Sequence, residues 1–191
     1  MSTDNIFLFF KTKFPFKTDG LLDFIASFQP KTYPKGSIIL QANDVETNLR
    51  FLDEGIIREF YAYKDKERNL TFYTTPDFVT DFNALAQRVP TKKYQECLTD
   101  TTLRILPKEK FEFFLQHYPC GKIFIETIFK QLMAQKEQEE FKNYCLSPDE
   151  LYLDLLATKP DWLQQIPQYH VASYLGITPE TLSRIRKRIT S

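Results

Sequence analysis

The stretch of sequence that decides the fold lies near the end of the 191-residue chain and reads PQYHVASYLGITPETLSRIRKRIT (residues 167–190). Apolar residues at helical spacing predict a first helix over Gln168–Leu175, and Gly176 can take the positive φ that ends a helix. Thr178 has the chemistry of an N-cap, and Pro179 suits the first position of a second helix. Two helices joined by a short turn that contains glycine form a helix-turn-helix.

The second predicted helix has two different faces. Leu182, Ile185 and Ile189 recur at offsets of three and four, which predicts a buried stripe. The other face is polar, and four of the five residues from 184 to 188 are basic. Basic residues in a last helical turn also complement the helix dipole, but that alternative leaves the pattern of cap, glycine and cap unexplained. The candidate nucleic-acid-binding residues are Thr178, Glu180, Thr181, Ser183, Arg184, Lys187 and Arg188.

The composition limits the other classes of function. Lys plus Arg and Asp plus Glu number 25 each, so any attraction for nucleic acid must come from local charge. Cys97, Cys120 and Cys145 form no CxxC pair, and the sequence predicts buried, reduced thiols and no metal site. The apolar run at residues 6–10 is too short for a signal peptide, which favours a cytoplasmic protein.

Residues 34–106 predict a β region, because short apolar or alternating runs are separated by turn residues. Such spacing is typical of a sandwich or barrel. A type I turn is predicted at residues 33–36, and antiparallel hairpins are predicted at Gly55 and at residues 64–67. The predicted strands cover residues 37–40, 49–52, 56–63, 70–73, 94–98 and 103–106.

From Pro119 to about Tyr144 the pattern becomes helical, with one apolar stripe. The stripe consists of Ile125, Ile128, Phe129, Leu132 and Met133. Its partner is either a second copy of the chain or the β region of the same chain. Ser147 and Pro148 predict the start of a further helix that stops near Pro160. The predicted domains are therefore residues 1–118, 119–146 and 147–191.

Residues 171–184, VASYLGITPETLSR, closely resemble the recognition segment of the Crp/Fnr family, and most of all the branch found in Bacteroidetes. The resemblance implies an α+β fold. Its parts are an N-terminal double-stranded β-helix (a jelly-roll like that of cyclic-nucleotide-binding domains), a long dimerisation helix and a C-terminal winged helix-turn-helix. It also implies a homodimeric transcription regulator that binds inverted-repeat double-stranded DNA, works with RNA polymerase and catalyses no reaction. Gly55 fits the family's hairpin before an Ile-Arg strand, here Ile57 and Arg58.

The resemblance further implies roles for the second helix. Glu180 and Arg184 are expected to reach base edges in the major groove, and Thr181 is expected to contact phosphate. Arg reads guanine O6 and N7, and Glu accepts from cytosine N4. Pro179 stands where some relatives place another base-reading Arg, so the preferred operator is expected to differ.

The cassette that holds the cyclic phosphate in this family is altered here. The corresponding residues, which are the candidate effector pocket, are Thr80, Asp81, Phe82, Lys93 and Tyr94. Asp is shorter than the family's Glu, and Lys does not reproduce a bidentate guanidinium contact. Cyclic AMP is therefore not expected to be the effector, and no cofactor is predicted. Two alternatives remain: a small-molecule-binding protein whose helix-turn-helix binds another protein, and a regulator that needs no effector.

Overall fold

The structure is a computed structural model that describes residues 4–14 and 18–190. The helices of this part of the chain are α1 Asn5–Lys13, α2 Leu21–Ala26, α3 Phe82–Gln87, α4 Lys108–His117, α5 Pro119–Cys145, α6 Pro148–Thr158, α7 Pro160–Gln165, α8 Gln168–Leu175 and α9 Pro179–Thr190. Its strands are β1 Gln29–Tyr33, β2 Ile38–Leu40, β3 Asn48–Glu54, β4 Ile57–Tyr63, β5 Lys66–Tyr73, β6 Asp77–Phe78, β7 Tyr94–Cys97 and β8 Thr101–Pro107. Among these helices, none has both the length and the hydropathy that crossing a bilayer requires.

The strands form two four-stranded antiparallel sheets with the orders β1-β8-β3-β6 and β2-β7-β4-β5. Leu52, Ile57, Val79, Cys97 and Leu103 are fully buried together between them. We call the two sheets together with α1–α4 the β-domain. The predicted α+β fold with a jelly-roll is confirmed, and sequential strands alternate between the sheets because the alternating apolar residues must meet in one core.

Two predicted turns differ from the structure. Gly55 does not close a hairpin: β3 pairs with β6 and β8, whereas β4 pairs with β5 and β7, so the chain crosses from one sheet to the other at Gly55. A side chain on Gly55, which has φ +107°, would lie 2.8 Å from the backbone oxygen of Asp100. The hairpin predicted at residues 64–67 is confirmed, with Lys64 and Asp65 joining β4 to β5.

The first predicted turn begins one residue later than expected and has another geometry. The backbone N–H of Ser37 donates to the carbonyl of Pro34 over 3.1 Å. Gly36 is then the third residue of the turn and has φ +82°. A positive φ at that position makes the turn type II rather than type I.

The helices before β1 and after β8 were not predicted, and they form an aromatic core with α5. Phe124 of α5 is 1% exposed and lies at its centre. Its ring contacts those of Phe10, Phe14, Phe24, Phe78, Phe82 and Phe111. The apolar run at residues 6–10 supplies part of this core.

The three cysteines do not share one environment. Cys97 and Cys120 are buried as predicted, and burial raises the pKa of both thiols. Cys145, at the end of α5, is exposed. The prediction of a buried thiol is wrong there, because the last turns of α5 extend away from the β-domain.

The apolar stripe of α5 divides between two environments. Ile128 is 4% exposed and packs in the aromatic core, as the alternative of packing on the same chain predicted. Phe129, Leu132 and Met133 are 45%, 38% and 60% exposed. Only the second part of the stripe therefore remains for another partner.

The helices after α5 begin where the sequence predicted. Ser147 caps α6 and forms a capping box with Glu150, and α6 ends at Thr158 before Pro160. The short helix α7 was not predicted. Within residues 4–14 and 18–190 no strand follows Pro107, so the wing that the resemblance implied has no counterpart there.

Candidate nucleic-acid interface and ligand cavity

The predicted helix-turn-helix is present at residues 168–190. Gly176 ends α8 with φ +72°, and the backbone N–H of Ile177 donates to the carbonyl of Ala172 over 3.0 Å. The hydroxyl of Thr178 accepts a hydrogen bond from the backbone N–H of Thr181 over 3.2 Å, which caps α9 as predicted. Ala172 is fully buried, so its small side chain allows the two helices to approach closely.

The two faces of α9 are also as predicted. Leu182 and Ile185 are 1% and 2% exposed and pack with α8, α6 and α7. Of the candidate nucleic-acid-binding residues, Thr181 is half-buried and the rest are exposed. Hydrogen bonds from its own backbone N–H and from Thr178 lower the pKa of Glu180, so this carboxylate is ionised and can accept.

A cavity of about 630 Å³ lies between the β4–β5 side of the β-domain, α3 and α5. Thr80, Asp81, Phe82 and Lys93 of the candidate effector pocket line it. Tyr94 is not among its lining residues, because its ring stacks on Phe60 with 5.2 Å between centroids. The exposed residues Phe129, Leu132 and Met133 of α5 form the opposite wall.

Comparison with known proteins agrees with these two parts of the fold. Residues 30–118 match the family described as the cyclic nucleotide-binding domain. Among solved structures, FixK2 from Bradyrhizobium japonicum has 15% identity and a TM-score of 0.74, over 85% of this chain and 84% of that one. A mutant CooA from Carboxydothermus hydrogenoformans has 16% identity and a TM-score of 0.70, over 100% of this chain and 85% of that one.

A transcriptional regulator from Eubacterium rectale, described as putative and of the Crp/Fnr family, has 15% identity and a TM-score of 0.69, over 86% of this chain and 79% of that one. This chain has the Crp/Fnr fold. No curated protein sequence matches it. The resemblance seen in residues 171–184 therefore extends to the three-dimensional arrangement of nearly the whole chain.

The cations of the cavity in this Crp/Fnr fold are engaged with carboxylates of the same chain. The ammonium of Lys93 lies 3.0 Å from a carboxylate oxygen of Glu59. Burial acts to lower the pKa of Lys93, but Glu59 and Asp81 outweigh it and the pKa is raised. Lys93 is thus a charged group that already has its counterion.

Asp81 is engaged as well. One carboxylate oxygen accepts from the backbone N–H of Ala84 over 3.3 Å, and the other accepts from the hydroxyl of Thr91 over 2.6 Å. Asp81 is the N-cap of α3, the helix whose first N–H groups would face an anion in the cavity. The protein's own carboxylate therefore satisfies part of the helix N-terminus.

Sequence reasoning missed a buried set of polar side chains that connects the two sheets of the β-domain. Arg50 of β3 binds Glu46 in an ion pair, with both side chains 5% or less exposed. Arg50 also donates to Gln95 over 3.0 Å, and Gln95 donates to Glu59 over 2.7 Å. We call Glu46, Arg50, Gln95, Glu59 and Lys93 the polar relay. These residues are far apart in the sequence, so no local pattern marks them.

Sequence reasoning also missed how the helix-turn-helix is held. Helix α8 lies along β5, the outer strand of its sheet. The hydroxyl of Ser173 accepts from the backbone N–H of Asn69 over 3.1 Å and donates to the carbonyl of Glu67 over 3.0 Å. Ser173 thereby satisfies backbone groups at the open edge of the sheet.

His170, which the sequence presented as isolated, takes part in the same contact. Its Nδ1 lies 3.3 Å from the amide nitrogen of Asn69 and 3.4 Å from the guanidinium of Arg58. Burial and the charge of Arg58 lower the pKa of His170 to about 4. His170 is therefore a neutral acceptor that joins the helix-turn-helix to the β-domain.

Proposed function

We propose that this chain is a transcription regulator of the Crp/Fnr type that binds DNA as a homodimer through α8 and α9. The observation that carries the proposal is the exposed polar face at the start of α9. Its inner face is buried, and the turn before it is closed by Gly176 and Thr178. A helix supported in this way can enter the major groove with its N-terminal residues facing base edges.

Within this interface, Glu180 and Arg184 read bases, and Thr178, Thr181, Ser183, Lys187 and Arg188 bind the DNA backbone. Arg184 lies one helical turn beyond Glu180, so both project from the same face. Arg188 forms an ion pair with Asp149 of α6 in the DNA-free chain. This pair must open or share Arg188 with a phosphate when DNA binds.

Selection of bound duplexes from a random pool tests the proposal. The expected site is an inverted repeat with half-site centres about 34 Å apart, because a two-fold dimer presents two copies of α9. Binding is expected to weaken steeply as salt is raised. A protein that selects no duplex and shows no salt-dependent binding would instead support the rival function, in which the helix-turn-helix binds another protein.

The dimer is proposed to form through the second half of α5. Phe129, Leu132 and Met133 form an exposed apolar patch there, and Phe141 is 61% exposed farther along. Replacing both Leu132 and Met133 with Asp is expected to give monomers in light scattering. Gln138→Asp, on the opposite side of the helix, is the matched control and is expected to stay dimeric. Ile128 is unsuitable for this test because it belongs to the core.

Cyclic AMP is proposed not to be the effector. The pairing of Lys93 with Glu59 and the capping of α3 by Asp81 support this, because both groups would have to be released to hold a phosphate. Calorimetric titration with cyclic AMP at millimolar concentration is expected to show no saturable heat. A micromolar dissociation constant would contradict the proposal. In Glu59→Gln the counterion of Lys93 is removed, and weak binding is expected to become measurable.

The same pairing favours a regulator that needs no effector as a second candidate, with the β-domain acting as a scaffold. A thermal-shift screen of metabolites distinguishes the two, since a bound ligand raises the unfolding temperature. Binding to RNA polymerase and a cytoplasmic location stay predictions from the resemblance.

A further inference from the structure

The β4–β5 hairpin of the β-domain lies against the turn of the helix-turn-helix. The guanidinium of Arg68 covers Gly176 so closely that a Cβ on this glycine would lie 1.9 Å from a terminal nitrogen of Arg68. Gly176 is therefore required twice, by its φ of +72° and by the approach of Arg68. The hairpin and the turn form one continuous surface.

This hairpin carries more exposed cations than available anions. Lys64, Lys66 and Arg68 are exposed, and Asp65 lies at the tip. Glu67 is already bound by Arg58, whose guanidinium lies 2.6 Å away. The tip of the β-domain is thus locally basic in a chain with no net charge.

The strand register places the cations together with aromatic rings. Lys66 is the cross-strand partner of Tyr63, and Arg68 is the partner of Tyr61. Directly opposed residues of antiparallel strands project from the same face. Tyr63 is 75% exposed and Tyr61 is 42% exposed, so this face is open to a partner.

We propose that Arg68 and Lys66 bind DNA phosphates, so that the DNA-binding surface includes the β4–β5 hairpin as well as α8 and α9. In a helix-turn-helix the first helix crosses the sugar–phosphate backbone and the second begins in the groove, so a cation beside the connecting turn lies near phosphates. This inference rests on the proposed function. The competing role for Arg68 is to interact only with the carbonyl groups that end α8.

The experiment measures affinity for a selected and an unrelated duplex at several salt concentrations. Arg68→Gln is expected to weaken binding to both about three- to tenfold at about 0.1 M salt and to flatten the slope of log affinity against log salt by about 0.9. Arg68→Lys keeps the charge and is expected to restore the slope. Arg88→Gln is the matched control, because Arg88 is exposed and pairs with Glu112 on α4, and it is expected to bind like the unmodified protein.

The outcomes separate the two proposals. If Arg68→Gln binds both duplexes like the unmodified protein while Arg184→Ala loses base preference, the hairpin is not part of the interface and the proposed function stands. If Arg68→Lys behaves like Arg68→Gln and both lower the unfolding temperature followed by Trp162 fluorescence, Arg68 only supports the turn and the inference is wrong. If the unmodified protein binds no DNA, both proposals fail.

Discussion

The β-domain and the helix-turn-helix place their charged side chains in opposite surroundings. Arg50 and Glu46 are buried against each other, at 4% and 3% exposure, and Lys93 pairs with Glu59. Glu180 and Arg184 at the start of α9 are exposed. A charge that is buried with its counterion is part of the fold, whereas an exposed charge on a rigid helix is available to a partner.

This difference shows why the two regions bear unequally on function. The resemblance alone points to a ligand in the β-domain and to DNA at α9. In the cavity, however, a ligand phosphate would compete with Glu59 for Lys93 and with Asp81 for the start of α3. At α9, DNA would meet residues that already project outward from a buried inner face.

The largest effect is expected from breaking the polar relay. Arg50→Met leaves Glu46 buried without its counterion and is expected to lower the free energy of unfolding by about 3–5 kcal/mol. Urea denaturation measures it, and Arg88→Met, at an exposed arginine, is expected to change the free energy by less than about 0.5 kcal/mol. A loss below about 1 kcal/mol for Arg50→Met would mean that the relay is not structural.

The pH dependence of this loss sharpens the test. Burial raises the pKa of Glu46, and Arg50 opposes that rise. Without Arg50 the pKa of Glu46 rises further, so the folded state binds the proton more tightly than the unfolded state does. Stability is then lost as pH increases through the folded pKa. The deficit of Arg50→Met is therefore expected to be larger at pH 8 than at pH 5.

A smaller effect is expected where the two regions meet. The pKa of His170 is about 4 in the folded chain, against 6.5 for an ordinary His, so the unfolded chain binds a proton first as pH falls. Above pH 6.5 both states are neutral and the contact keeps its full stability, which is lost between pH 6.5 and 4 by about 2–3 kcal/mol. Urea unfolding followed by Trp162 fluorescence measures this. His170→Gln is expected to lack this part of the pH dependence, and His117→Gln, at an exposed histidine, is expected to retain it.

At α9 the expected loss is one of recognition rather than stability. Arg184→Ala is expected to reduce discrimination at one base pair of each half-site by about 1–3 kcal/mol, because a bidentate contact to guanine is removed. Its free energy of unfolding is expected to stay within about 0.5 kcal/mol of the unmodified protein, since the side chain is exposed. Affinities for single-base operator variants check the first expectation. Full base preference in the variant would show that Arg184 only binds phosphate.

The smallest effect is expected from Lys187→Ala. Lys187 lies farther along α9, where the helix leaves the groove and approaches the backbone. Its loss is expected to weaken binding to all sequences alike and to flatten the salt slope by about one unit. Titrations at three or more salt concentrations measure the slope. A change in base preference instead would place Lys187 in the groove and extend the reading face of α9.

The helix-turn-helix was predictable because its signals are local. The cap at Thr178, the glycine at 176 and the stripe of Leu182 and Ile185 all act within a few helical turns. The long helix α5 was predictable for the same reason. Its partner was not, because an apolar stripe specifies that it must be covered but not by which surface.

The β-domain was less predictable because its contacts are remote in sequence. Strand β1 pairs with β8, whose residues lie more than 60 positions later, and nothing in residues 29–33 marks them as a strand. The crossing at Gly55 follows from which strands pair, and that choice depends on the whole sandwich.

The sequence by itself determined the jelly-roll class, the long helix and the helix-turn-helix with its polar outer face, because periodicity, caps and turn residues act through neighbours along the chain. Only the tertiary structure decided that Lys93 has a counterion, that His170 is a neutral link and that Arg68 covers Gly176. Each of these depends on side chains brought together from distant positions. The charge and hydrogen bonding of a group in a folded protein depend on those neighbours in space.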